Sequence, residues 1–152
     1  MTFTKQKTML CLPALVLALV STSSWGAAKP VTGVSCQGGF FIRTPDKHIH
    51  WINDEKDERV QVYEDKDEIY AMAECGTGVI TVFEKSAEDK QEYAAYYSPN
   101  CQHIGSEEGE TQNLYKGELK INRIKPDEEG VEIRFVNNQT LRGASCSALN
   151  QG

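Results

Sequence analysis

"GVITVFEKSAEDKQEYAAYYSP" (78–99) is the stretch whose reading decides the fold. Its first eight residues, Gly78 to Lys85, are apolar at both odd and even positions. A strand of that kind has both faces covered and therefore belongs in the middle of a sheet rather than at its rim. The remainder, Ser86 to Pro99, admits two readings. Ser86 stands three residues ahead of Asp89, good helix formers come next, and Pro99 is a stop, as in a short helix laid across the open end of a sheet. The same residues also read as a hairpin loop leading into a strand "EYAAYYS", which the wealth of Tyr and the neighbouring strands favour.

Outward from this stretch, alternation with period two recurs from residue 40 to the end. It appears as "GFFIRT" (39–44), "KHIHWI" (47–52), "ERVQVYE" (58–64) and "EIYAMAEC" (68–75) on one side. On the other side come "GELKINRI" (117–124), where Ile124 falls off phase as at a bulge, "GVEIRFVN" (130–137) and "QTLRGASC" (139–146). The connections are acidic and rich in Gly, Asn and Pro, among them "NDEKDE" (53–58), "EDKDE" (64–68), "GSEEGE" (105–110) and "KPDEEG" (125–130). Each of these residue types favours turns for its own physical reason. The expected fold is all-β: a small antiparallel sandwich or barrel of seven to eight strands, with at most one short helix. No βαβ alternation, glycine-rich phosphate loop, nucleophile elbow or zinc-protease motif occurs, which argues against dinucleotide-dependent and P-loop chemistry.

The first 28 residues read as a cleaved secretory signal. Lys5 and Lys7 precede a 12-residue apolar run, Met9 to Val20, and "STSSWGAA" supplies small residues for a peptidase. Crossing a bilayer takes about 20 apolar residues, so a retained anchor is the weaker reading. Residues 29–152 then form one β-rich domain, large enough to bury a real core, in a secreted or periplasmic protein. Removing Lys5 and Lys7 takes Lys plus Arg from 16 to 14 against 22 acids, a formal net charge of −8. That charge disfavours general attraction to nucleic acid or to an anionic membrane and favours cationic partners.

Cys11 leaves with the leader, and Cys36, Cys75, Cys101 and Cys146 remain. An even number in an exported chain reads as two disulfides. Their spacings are far from those of zinc sites, so they act as staples and not as ligands. Tying the two ends of the domain together gives Cys36–Cys146 with Cys75–Cys101; the alternative joins neighbours, Cys36–Cys75 with Cys101–Cys146.

His48 and His50 lie two apart, so on a strand they share a face, with Ile49 and Trp51 on the other. H-x-H on a strand offers two nitrogens to a metal, with a third ligand from His103, Asp46 or Asp54, but two histidines are a weak signal and no metal or cofactor is expected. The acid runs lack the spaced ligands of a calcium loop. A hydrolase of nuclease type would set these histidines beside a carboxylate and an arginine. Aromatic residues at 93–97 near Cys101, Tyr96 and Tyr97 among them, and Trp51 are candidates for a contact surface.

The function expected from these features is that of an exported acidic binding protein without catalytic residues, which recognises or inhibits a protein partner such as a basic hydrolase or toxin. Its contact residues would be His48, His50, Trp51, Tyr96, Tyr97 and His103, with Glu107 and Glu108 of the acidic 105–110 loop entering a cationic cleft. The alternative is a small secreted hydrolase using the histidines.

Overall fold

The computed structural model describes residues 31–64, 67–105 and 111–151, and the fold is all-β. Eleven strands among the described residues are arranged in three antiparallel sheets. The front sheet has the order β1 (Ser35–Cys36), β2 (Gly39–Arg43), β3 (Ile49–Asn53), β4 (Glu58–Tyr63). The central sheet has β5 (Glu68–Cys75), β6 (Gly78–Ala87), β7 (Lys90–Ser98) and β8 (Gln112–Gly117) in sequence order. The back sheet sets β10 (Glu132–Phe135) between β9 (Ile121–Lys125) and β11 (Thr140–Arg142), and the five-residue helix α1 (Cys146–Asn150) comes last. The proposed signal segment, 1–28, lies outside the described residues.

The architecture follows from β6. Its side chains alternate between two separate cores: Val79 and Phe83 join the front one, Ile80 and Val82 the back one. Phe41, Ile49 and Trp51 of the front sheet complete the first core, and Ile121, Ile133 and Phe135 of the back sheet complete the second. The central sheet is therefore covered on both sides, and the molecule has three layers, which a simple two-sheet sandwich or barrel does not anticipate. Sheets pack about 10 Å apart through interdigitating side chains. Small residues on the central strands leave room for larger partners: Ala94 faces the front core, Ala71 and Ala95 the back.

The stretch 86–99 is strand, not helix. β6 runs to Ala87, Glu88 and Asp89 make a two-residue turn, and β7 begins at Lys90, with Ala87 opposite Lys90. Helix propensity is a weak prior here, because Tyr93 to Tyr97 are all buried only when both faces of an extended chain are covered. The expected strand 117–124 is divided: Gly117 ends β8, a turn intervenes, and β9 starts at Ile121. Leu119, in that turn, is 38% exposed instead of facing inward. The phase slip before Ile124 is a bulge: Arg123 opposes Arg134 and Ile121 opposes Phe135, which leaves Asn122 unopposed.

Both expected disulfide pairings are overturned. The bonds are Cys36–Cys101 and Cys75–Cys146, with Cα–Cα separations of 6.0 and 5.1 Å. The chain visits the layers in the order front, central, back. Cys75 and Cys101 both belong to the central layer but lie in different cores, the back and the front respectively. Each is thus drawn to a different outer layer, Cys101 to β1 and Cys75 to α1. The helix is further fixed where Asn150 Oδ1 accepts hydrogen bonds from the Tyr97 and Thr77 hydroxyls.

Candidate functional site

The solvent side of the front sheet is built by register. Phe41, Ile49 and Trp51 point inward with exposures of 0, 0 and 3%. Trp51 donates its indole N–H to the Cys36 carbonyl at 2.8 Å and packs against Gly39, where a Cβ would meet the ring at 2.4 Å. Period two therefore sends Phe40, Ile42, His50 and Ile52 outward. Across the sheet they form two rows: Phe40 pairs with Ile52 and Ile52 with Arg59, while Ile42 pairs with His50 and His50 with Gln61. Phe40, Ile42 and Ile52 are half-buried and belong to neither core. The result is an outward apolar face with an imidazole at its centre.

His48 is placed by the β2–β3 turn. Lys47 N–H reaches the Thr44 carbonyl and Thr44 N–H the His48 carbonyl, each at 2.9 Å, and Lys47 has a φ of 66°. This is a type I turn with Pro45 leading and a left-handed residue closing the bulge. Within it the Thr44 hydroxyl donates to the Asp46 carboxylate, and His48 Nδ1 lies 3.3 Å from Asp46 Oδ2. His48 Nε2 is 4.0 Å from Glu64 Oε1. The Thr44 hydrogen bond holds the Asp46 carboxyl below its usual range against the opposing effect of burial, with His48 adding to the lowering.

His50 has a different setting. Its Nδ1 accepts a hydrogen bond from Arg59 Nε at 3.4 Å. Burial first, then the Arg59 charge and His48, lower its pKa, while Asp46 acts weakly in the other direction. His50 is therefore a neutral acceptor at neutral pH. Acidic turns stand at both ends of the face: Asp54, Glu55, Asp57 and Glu58 at one, Asp46 and Glu64 at the other, all exposed.

The other expected contact residues are dispersed. Trp51 is a core residue. Tyr96 and Tyr97 are 6 and 0% exposed and belong to opposite cores, so they make no surface cluster. Burial also raises the pKa of Tyr97. His103 is exposed in the turn after β7, its N–H bonded to the Asn100 carbonyl at 3.1 Å. Glu107 and Glu108 lie outside the described residues. No three His, Cys, Asp or Glu side chains among the described residues converge as a metal site. The alternation pattern does not single out Phe40, Ile42, Ile52, Arg59 and Gln61, which the structure adds to the face. A signal for the apolar three exists: Phe40–Phe41–Ile42 and Trp51–Ile52 put apolar residues at consecutive positions, and consecutive residues of a strand cannot face the same side. Comparisons with protein-family models, curated proteins and solved structures found no match.

Proposed function

We propose that this chain is an exported acidic binding protein that captures a basic protein partner on the outer face of its front sheet. The observation that carries the reading is the outward apolar group Phe40, Ile42 and Ile52, which neither core absorbs, set between two acidic turns. An apolar centre within a polar rim is the anatomy of a protein interface, and large apolar patches on a soluble surface otherwise carry a penalty. The carboxylates of Asp46, Asp54, Glu55, Asp57, Glu58 and Glu64 supply attraction toward a cationic surface, and the apolar residues supply the buried contact. Two disulfides fit export into an oxidising compartment. The test is affinity capture from the exported fraction of the source cells, with the parent chain and with Ile42→Asp/Ile52→Asp. A basic protein retained by the parent at low salt, released by salt and lost by the variant supports the reading. Equal retention by both chains refutes it.

The hydrolase alternative keeps one observation in its favour: His50 and Arg59 meet on this face, with Arg59 Nε donating to His50 Nδ1 at 3.4 Å. His48→Ala/His50→Ala separates the two, because a binder keeps its affinity within a few-fold whereas a hydrolase loses turnover by orders of magnitude.

A further inference from the structure

The back sheet turns outward a surface of opposite character. Its register makes a grid of two rows: Lys125, Glu132 and Arg142 side by side in one, Arg123, Arg134 and Thr140 in the other. Three of the five arginines in this acidic chain stand on that small face. Glu132 is the only carboxylate in the grid, and it serves two guanidinium groups, with Arg134 Nη2 at 3.5 Å from one oxygen and Arg142 Nη2 at 3.2 Å from the other. Arg142 has a further carboxylate, Glu129, at 3.7 Å, and Lys125 has Asp127 at 3.5 Å. Arg123 has no hydrogen-bond or ion-pair partner among the described residues, although it sits directly opposite Arg134.

Directly opposed residues of an antiparallel pair have Cβ atoms about 5 Å apart, and like charges so placed destabilise the pair. Both arginines are also partly desolvated, because the Nε of each is shut off from water without an acceptor among the described residues. A buried donor without an acceptor costs about as much as a lost hydrogen bond, and such groups in folded proteins have a reason. Both Nη groups of Arg123 and the Nη1 of Arg134 have no partner among the described residues, whereas Arg134 Nη2 is held by Glu132. Planar guanidinium forks match the oxygens of phosphate or sulfate, and one dianion offsets two opposed cations where a single carboxylate does not.

We propose that Arg123 and Arg134 form a binding site for a doubly charged oxyanion, of phosphate or sulfate type, on the outer face of the back sheet. The site is independent of the front face and of any protein partner there. The net negative charge of the chain makes it a local feature rather than a general affinity for polyanions.

Nitrogen-edited NMR of the full mature chain tests this. Inorganic phosphate, titrated at constant ionic strength against chloride, moves the arginine Nε–H signals of residues 123 and 134 and the backbone amides of β9 and β10 in a saturable manner. Arg123→Gln and Arg134→Gln each weaken binding roughly tenfold or more. Arg123→Lys, which keeps the charge and loses the fork, weakens it by less, and the unaltered amide spectrum of the central sheet confirms folding. A second arm uses vesicles bearing phosphatidic acid, whose phosphomonoester headgroup can carry two charges. Co-sedimentation lost in the two Gln variants identifies a lipid headgroup as the source of the oxyanion, whereas phosphate binding with no co-sedimentation of the parent chain identifies a free one. Absence of response to both probes overturns the proposal, as does an undiminished response in Arg123→Gln/Arg134→Gln.

Discussion

The two outer sheets are attached to the same central sheet and yet offer solvent opposite surfaces. The front sheet shows half-buried apolar side chains and histidines between carboxylates; the back sheet shows arginines around one glutamate. Inwardly the two are alike. Each contributes aromatic and branched residues to one face of β5–β7; one disulfide ties β1 of the front sheet to the central layer, and the other ties α1, which follows the back sheet. The inner faces therefore specify the fold, and the outer faces are free to carry function. Charge is partitioned too: the net negative value of the chain fits the acidic ends of the front face and not the arginine grid of the back one.

Variants can break or sharpen this comparison. The largest effects are expected inside the two cores. Phe41→Ala in front and Phe135→Ala behind each remove a buried ring and should cost about 3–5 kcal/mol in urea unfolding; a loss below about 1 kcal/mol at either would deny that layer its core. Next come the disulfides. Replacing Cys36 and Cys101 by Ala, or Cys75 and Cys146, opens chain separations of 65 and 71 residues, at a cost of about 2–5 kcal/mol each. Hydrogen exchange should then rise first in β1–β4 for the former pair and in α1 and β9–β11 for the latter. A rise in the wrong layer contradicts the layer-by-layer attachment.

A smaller effect of opposite sign is expected at Thr81. It is fully buried on β6, and its hydroxyl has no hydrogen-bond partner among the described residues. Thr81→Val keeps the shape, removes that group and should stabilise the chain by about 1 kcal/mol in the same urea assay; destabilisation would mean that the hydroxyl has an acceptor. On the outer faces, Ile52→Asp and Arg134→Gln should change stability by about 1 kcal/mol at most while acting on the proposed ligands of their own sheet only.

The least effect concerns pH. Because burial and Arg59 lower the pKa of His50 from 6.5, the unfolded chain takes up the proton first on acidification. Its contribution to stability is complete above pH 6.5 and is lost as pH falls through the folded-state value. His50→Gln should flatten that part of a stability–pH curve, whereas an unchanged slope would assign it to other groups. At the alkaline end, burial raises the pKa values of Tyr70, Tyr93 and Tyr97, so stability should decline above about pH 10.

Much of the fold is legible in the residues. The doubly apolar β6, the alternation of β10 and the turn signals of Pro45–Asp46 and Asn137–Asn138 all correspond to the structure. The third layer is not legible, because period-two alternation reports which residues face a core and not how many cores there are. The disulfide pairing depends on that same count. Joining the chain ends suits two sheets, but with a covered central sheet Cys75 and Cys101 must reach in opposite directions. Of the candidate site, His50 is legible as outward because the pleat dictates it, whereas His48 lies ahead of β3 and is placed by the turn. Phe40, Ile42 and Ile52 are obscured by their neighbours Phe41 and Trp51, whose size suits them for the core. Arg123 and Arg134, 11 positions apart in sequence, face each other only through a register that includes a bulge.

A peptide map of the unreduced native protein tests the three-layer arrangement most directly. Basic residues lie between each successive pair of the four cysteines, so trypsin separates them. Mass spectrometry should find the peptide of Cys36 joined to that of Cys101 and the peptide of Cys75 joined to that of Cys146. Finding Cys36 on Cys146 or on Cys75, or free thiols at these positions, would contradict a central sheet clamped separately to each of its neighbours.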